Sequence, residues 1–202
     1  MDLLSEGQKL TLIFQKESNM VEMTCDIERV HDDRIDVSLP QYFMRYIDFL
    51  QVGRKLTAKV FSKVGTIDFN TVVIYSPLEE TFTIELDYNS VKITPGTELP
   101  VVNSAELLEV EENKQRTSYK TFELSNEHLK FYSENKFQLN QSIDGALLLP
   151  SDYGTITFRA IVTEIDPIYD NEYTAKFSTM SEENRQTLLF YLYMYSKNYN
   201  QE

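Results

Sequence analysis

The residues with chemistry to offer are concentrated between Lys120 and Tyr132. There a carboxylate (Glu123), a hydroxyl (Ser125) and an imidazole (His128) bracket a polar break in an alternating apolar pattern. Strand, tight turn and strand are predicted, with the turn over Ser125 to His128 in the position of a ligand loop. That turn contains no glycine, so its backbone has no residue built for close approach to a ligand. Upstream, Arg116 and Lys120 repeat a four-residue cationic spacing and are the alternative contacts for an anion.

Other reactive types are less organised. His31 beside Asp32 and Asp33 reads as a turn, because no second histidine or spaced carboxylate accompanies it to complete a metal site. Cys25, the single cysteine, falls on the apolar face of an alternating run and is expected to be buried and structural. The sequence has no glycine-rich phosphate loop and no Gly-x-Ser-x-Gly elbow. With 32 acidic residues in 202, carboxylate pairs arise by chance, so they do not point to a hydrolase. No enzymatic activity, metal or cofactor is expected.

A net charge of −13 opposes binding to nucleic acid and to anionic membranes. Arg54, Lys55 and Lys59 alternate with apolar residues and read as a solvated strand face. No apolar run approaches the length of a membrane span. The opening residues Met1 to Glu6 carry neither a basic nor a long apolar segment, so a cytoplasmic protein is expected.

The elements that must position these residues are mostly strands. Alternation marks Lys9 to Lys16, Val21 to Glu28 and Ile35 to Leu39, and after a loosely helical Gln41 to Leu50 it resumes in Leu56 to Val60, Ile67 to Tyr75 and Thr81 to Leu86. Gly53 to Thr57 echoes Gly7 to Thr11, as a recurrent strand-entry turn would. Two prolines and a glycine then mark a linker over 93–100. A β pattern restarts at Ala105 to Val110, Asp144-Gly145 introduces Ala146 to Leu149, and Gly154 to Ile165 and Tyr173 to Phe177 follow.

The period changes at the end. Thr179 with Glu182 forms a capping-box pattern, Ser181 is an alternative cap, and Leu188, Leu189, Leu192 and Tyr195 recur at helical spacing. The fold class is all-β: two small antiparallel β-barrel domains, 1–92 and 101–202, the second ending in a C-terminal helix. That helix also carries Phe190, Tyr191, Tyr193 and Tyr199, more aromatic surface than one face buries, so these are candidates for a protein partner or a homo-oligomer contact.

This layout resembles the YcgR-type proteins, in which a YcgR-like domain precedes a PilZ domain. The resemblance is carried by Gly53-Arg54-Lys55-Leu56, by Glu123-Leu124-Ser125 leading to Leu129-Lys130-Phe131, by Gly154 to Ile165, and by Tyr173 to Phe177 running into Arg185 to Tyr195. It implies a receptor for cyclic di-GMP, built from an Arg-x-x-x-Arg pair and an Asp/Asn-x-Ser-x-x-Gly turn. Guanidiniums fork onto phosphate, a carboxylate or amide reads base edges, and glycine admits the ligand.

Here the motif positions fall on Glu98 and Val102, then on Glu123, Ser125 and His128. Only Ser125 is retained. The resemblance therefore implies a regulatory or adaptor protein of cyclic-di-GMP-linked motility or surface signalling, with a degenerate nucleotide site. Cyclic di-GMP binding is not favoured, and action through protein contacts is expected.

Overall fold

The computed structural model describes residues 3–62, 65–96, 101–112, 115–150, 152–169 and 171–199. The chain divides into two compact units, Met1–Glu98 and Leu99–Glu202.

The first unit is a closed barrel. Its strands are β1 (Lys9–Lys16), β2 (Asn19–Val30), β3 (Arg34–Ser38), β4 (Lys55–Phe61), β5 (Gly65–Tyr75) and β6 (Thr83–Glu85), in the ring order β4-β1-β2-β3-β6-β5, closed by β4 on β5. Strict alternation creates it: Leu10 and Leu12, Met23, Cys25 and Ile27, Ile35 and Val37, Leu56, Ala58 and Val60, and Ile67, Phe69 and Val73 all point inward and are buried. Gln41 to Leu50, expected as loosely helical, contains a 3-10 helix at Phe43–Phe49, whose Phe49 ring stacks on Phe14 at 5.0 Å.

The echo of Gly7 in Gly53 has a shared geometry. Both glycines have positive φ, 78° and 82°, just ahead of β1 and β4. Gly7 N–H donates to Ile27 O while Ile27 N–H donates to Gln8 O, and Gly53 repeats this arrangement with Val73 and Arg54. The sequence similarity is a repeated way of entering a strand.

One boundary differs from expectation. Lys92–Pro95 forms a further strand, β7, paired with β5 from Asp68↔Lys92 to Gly65↔Pro95. Thus 93–95 of the expected linker belong to the first unit's sheet. Pro95 is compatible because it lies at the end of a strand on the edge of the sheet. Positions 97–100 lie outside the described residues.

The second unit is another closed barrel: β8 (Leu107–Glu112), β9 (Gln115–Leu124), β10 (His128–Tyr132), β11 (Ser142–Leu148), β12 (Thr155–Ile165) and β13 (Glu172–Met180), in the order β10-β13-β12-β11-β8-β9. Its centre is aromatic. Tyr119, Phe131, Phe137 and Tyr173 pack with centroids 5.2 to 5.8 Å apart, mostly edge to face.

Asp144-Gly145, expected to introduce a strand, lies within it. Both residues lie inside β11, where Gly145 pairs with Val110 and Phe158, and Asp144 forms a bidentate pair with Arg159 at 2.7 and 3.2 Å. A Cβ on Gly145 would stand 2.9 Å from Phe158 Cζ. The glycine makes room for an aromatic ring.

Helix α1 (Glu182–Tyr199) closes the unit. Ser181 caps it, its Oγ accepting from Asn184 N–H at 3.2 Å, whereas Thr179 lies in β13 opposite Arg159. Leu188, Tyr191, Leu192 and Tyr195 pack on the barrel core at helical spacing. Among the described residues no helix is long and apolar enough to cross a membrane.

Candidate functional site

The turn between β9 and β10 is a closed knot of side chains. β9 carries a bulge at Phe122, since Lys130 pairs with Glu123 but Phe131 pairs with Thr121. The bulge keeps Leu124 and Thr121 in the interior and sets Glu123 beside Lys130 and His128 on the outer face. The strand then leaves the ladder for Ser125, Asn126 and Glu127 and returns at His128.

Ser125, 2% exposed, organises the knot. Its Oγ accepts from Glu127 N–H at 3.2 Å and from His128 N–H at 3.0 Å, and lies 2.9 Å from His128 Nδ1. Ser125 N–H donates to His128 O at 2.9 Å, and Phe177 N–H donates to Glu127 O at 2.8 Å, tying the turn to β13. His128 Nε2 meets Glu123 Oε1 at 3.0 Å, and Lys130 Nζ reaches the same oxygen at 3.0 Å.

Because Glu123 accepts only, Nε2 carries the proton toward it. In the neutral ring Nδ1 then accepts a hydrogen bond from the Ser125 hydroxyl. When His128 is charged, Nδ1–H donates instead and the hydroxyl turns to His128 O, 3.1 Å away. Both protonation states leave the knot satisfied.

Desolvation raises the Glu123 pKa, but the hydrogen bonds from His128 and Lys130, with their charges, outweigh it and lower the carboxyl below its ordinary 4.5. Serine, imidazole and carboxylate in a row resemble a nucleophilic relay. Here, however, the hydroxyl is buried and already accepts two backbone amides, so the arrangement fixes a turn. His128 also has no positive φ, so the imidazole sits without backbone strain where the motif has glycine.

Val102 is brought to the same place. Its N–H donates to Leu124 O and Leu124 N–H donates back to Val102 O, both at 2.9 Å, so the segment carrying it lies against the residue before Ser125. Its side chain is buried in the barrel core. Position 102 thus presents an isopropyl group to the barrel interior. Glu98 lies outside the described residues.

The alternative cations do not join this turn. Arg116 and Lys120 are four residues apart on the outer face of β9, roughly 13 Å along the strand. Arg116, 3.7 Å from Glu109, lines a groove of about 510 Å³ with Asp144, Phe158 and Arg159. Lys120 lines a different one of about 430 Å³ with Tyr132, Ser133 and Asn171. Ser125 faces neither.

The aromatic candidates on α1 need correction. Tyr191 and Tyr193 are buried and Phe190 is half-buried. Tyr191 packs edge-on to Tyr153 at 5.2 Å and donates to Glu106 Oε1 at 2.6 Å, while Tyr195 donates to Asn103 O at 3.0 Å. Phenols with fixed partners are part of the core, a role that helical spacing alone does not reveal. The Tyr199 side chain lies outside the described residues. Cys25 is buried as expected, and desolvation, with Asp26 adding to it, pushes its thiol up to about 12.

Comparison with known proteins gives one family match. Residues 6–88 match PilZNR, described as flagellar protein YcgR. No curated protein sequence matches the chain. Among solved structures, the Bacillus subtilis inhibitor of motility MotI/DgrA shares 14% identity, covering 96% of this chain and 99% of its own, with a TM-score of 0.45. Escherichia coli YcgR in complex with c-di-GMP shares 10% over 96% and 86%, with a TM-score of 0.45. The K. pneumonia MrkH–c-di-GMP complex shares 11% over 97% and 90%, with a TM-score of 0.43. The similarity to the YcgR family is thus carried by residues 6–88 of the first unit, which a second closed barrel ending in a helix follows in sequence.

Proposed function

We propose that this chain is a non-enzymatic regulatory or adaptor protein of the PilZ/YcgR type. It works in the cytoplasm, in motility or surface signalling, with a YcgR-like domain in the first unit and a PilZ-like domain in the second. Its dinucleotide site is degenerate, and it acts through protein contacts. The observation that carries this reading is the self-satisfied turn: Glu123, Ser125 and His128 spend their hydrogen bonds on one another.

Charge argues the same way. A doubly anionic ligand meets a net charge of −13, with Lys130 already committed to Glu123. The test is a calorimetric titration of cyclic di-GMP at moderate salt. No heat of binding is expected, and low-micromolar affinity would overturn the proposal. If binding were seen, Arg116→Ala and Lys120→Ala would distinguish a non-standard receptor, each charged contact being worth roughly 1.5–3 kcal/mol.

A further inference from the structure

The outer face at the β12–β13 hairpin combines features that the nucleotide motif does not use. Asp166 Oδ1 accepts from Ile168 N–H at 2.7 Å and from Tyr169 N–H at 2.8 Å, a closed turn that holds those two side chains out. Ile168 is 79% exposed and Tyr169 59%. Tyr132 lies across the ladder from Glu172 and packs on Phe122 with centroids 4.5 Å apart. Glu172 N–H donates to Tyr169 O at 2.9 Å, which ties the hairpin tip to the end of β13.

A cleft of about 90 Å³ opens beside this surface, lined by Phe122, Lys130, Glu164, Asp166, Glu172 and Thr174. At roughly 30 Å³ per water it has the size of a side-chain head group. Lys130 is spent on Glu123, and among the described residues no arginine or lysine closes on Glu164, Asp166 or Glu172. The cleft therefore offers three carboxylates and one ring to a cation, next to exposed apolar anchors, on a protein whose overall field attracts cations.

We propose that this face docks a partner-protein segment in which an arginine or lysine, flanked by apolar residues, seats in the cleft while its neighbours pack on Ile168 and Tyr169. The inference rests on the reading that the chain acts through protein contacts, and it assigns where and with what chemistry. The deciding argument for this occupant is charge complementarity: a nucleotide or an acidic peptide would bring negative charge to three carboxylates that no described arginine or lysine neutralises.

The probe is a fluorescein-labelled peptide alternating leucine with arginine, followed by anisotropy with the full chain, alongside the same peptide with glutamate for arginine. The arginine peptide should bind with micromolar affinity that weakens as salt rises, and should shift the amide resonances of Ile168, Tyr169 and Glu172 in nitrogen–proton spectra. The glutamate peptide should not bind. The double variant Ile168→Ser/Tyr169→Ser and, separately, Glu172→Gln should each weaken binding at least about tenfold while circular dichroism stays unchanged.

Wild-type affinity in both variants, resonance shifts confined to another face, or no binding of the arginine peptide would each overturn the proposal. So would self-association lost in the double variant without peptide binding, which would assign the face to a second copy of the chain. Cyclic di-GMP titrated in parallel reports separately on the nucleotide site, so failure of the docking proposal is not confused with failure of the functional reading.

Discussion

Ser125 Oγ and His128 Nδ1 lie 2.9 Å apart across a turn whose backbone is already closed by Ser125 N–H on His128 O. The hydroxyl also accepts two amides. Ser125→Ala should therefore leave the Glu127 and His128 N–H groups without their acceptor in a buried place, at a cost of about 1–3 kcal/mol. Urea unfolding checks this, and a loss within 0.5 kcal/mol would mean that water replaces the hydroxyl.

Restoring the motif glycine should not restore a nucleotide site. His128→Gly removes the imidazole bridge between Ser125 and Glu123 and adds backbone freedom, so it should destabilise the fold by roughly 1 kcal/mol or more. Val102→Arg should be worse. Position 102 is buried in the barrel core, and an uncompensated charge there costs about 3 kcal/mol or more. Thermal unfolding measures both, and calorimetry with cyclic di-GMP should find neither variant binding.

Glu123 gives a pH dependence with a definite sign. Its pKa is lower in the folded protein than the ordinary 4.5. The stability it contributes is therefore fully present above about 4.5 and is lost as pH falls through the folded value. Glu123→Gln should be less stable than the wild type at neutral pH, and the difference should shrink on acidification below 4.5. Denaturant midpoints measured from pH 7 to pH 3 test this. Asp36, Asp144 and Asp166 are lowered too, so the acid limb of the variant should flatten without disappearing.

On the helix, Tyr191→Phe deletes only the hydroxyl that donates to Glu106 at 2.6 Å. A hydrogen bond to a charged group is worth about 1.5–3 kcal/mol, so the variant should lose stability on that scale while its far-ultraviolet circular dichroism stays unchanged.

Gly145→Ala tests the close approach inside β11. The new methyl would lie 2.9 Å from Phe158 Cζ, and overpacking of this kind costs about 1–3 kcal/mol. A neutral or stabilising effect in urea unfolding would show that Phe158 moves aside freely.

Period-two alternation by itself determined the strands, because each barrel wall buries one face and wets the other, so Leu10, Cys25, Val60, Ile156 and Ala175 announce their side. The change to helical spacing marked the terminal helix, and the spacing of Glu123, Ser125 and His128 was equally legible, since these are local along the chain. What the tertiary structure decided are matters of long-range pairing. Only the ladder with Val110 and Phe158 makes Asp144-Gly145 a strand interior, and only the pairing with β5 makes Lys92–Pro95 a strand. Only Glu106 and Tyr153, far away in sequence, turn Tyr191 from surface into core. The candidate ligand loop became a self-satisfied latch for the same reason: a list of residue types gives the hydrogen-bonding groups, and the fold decides which of them are already paired.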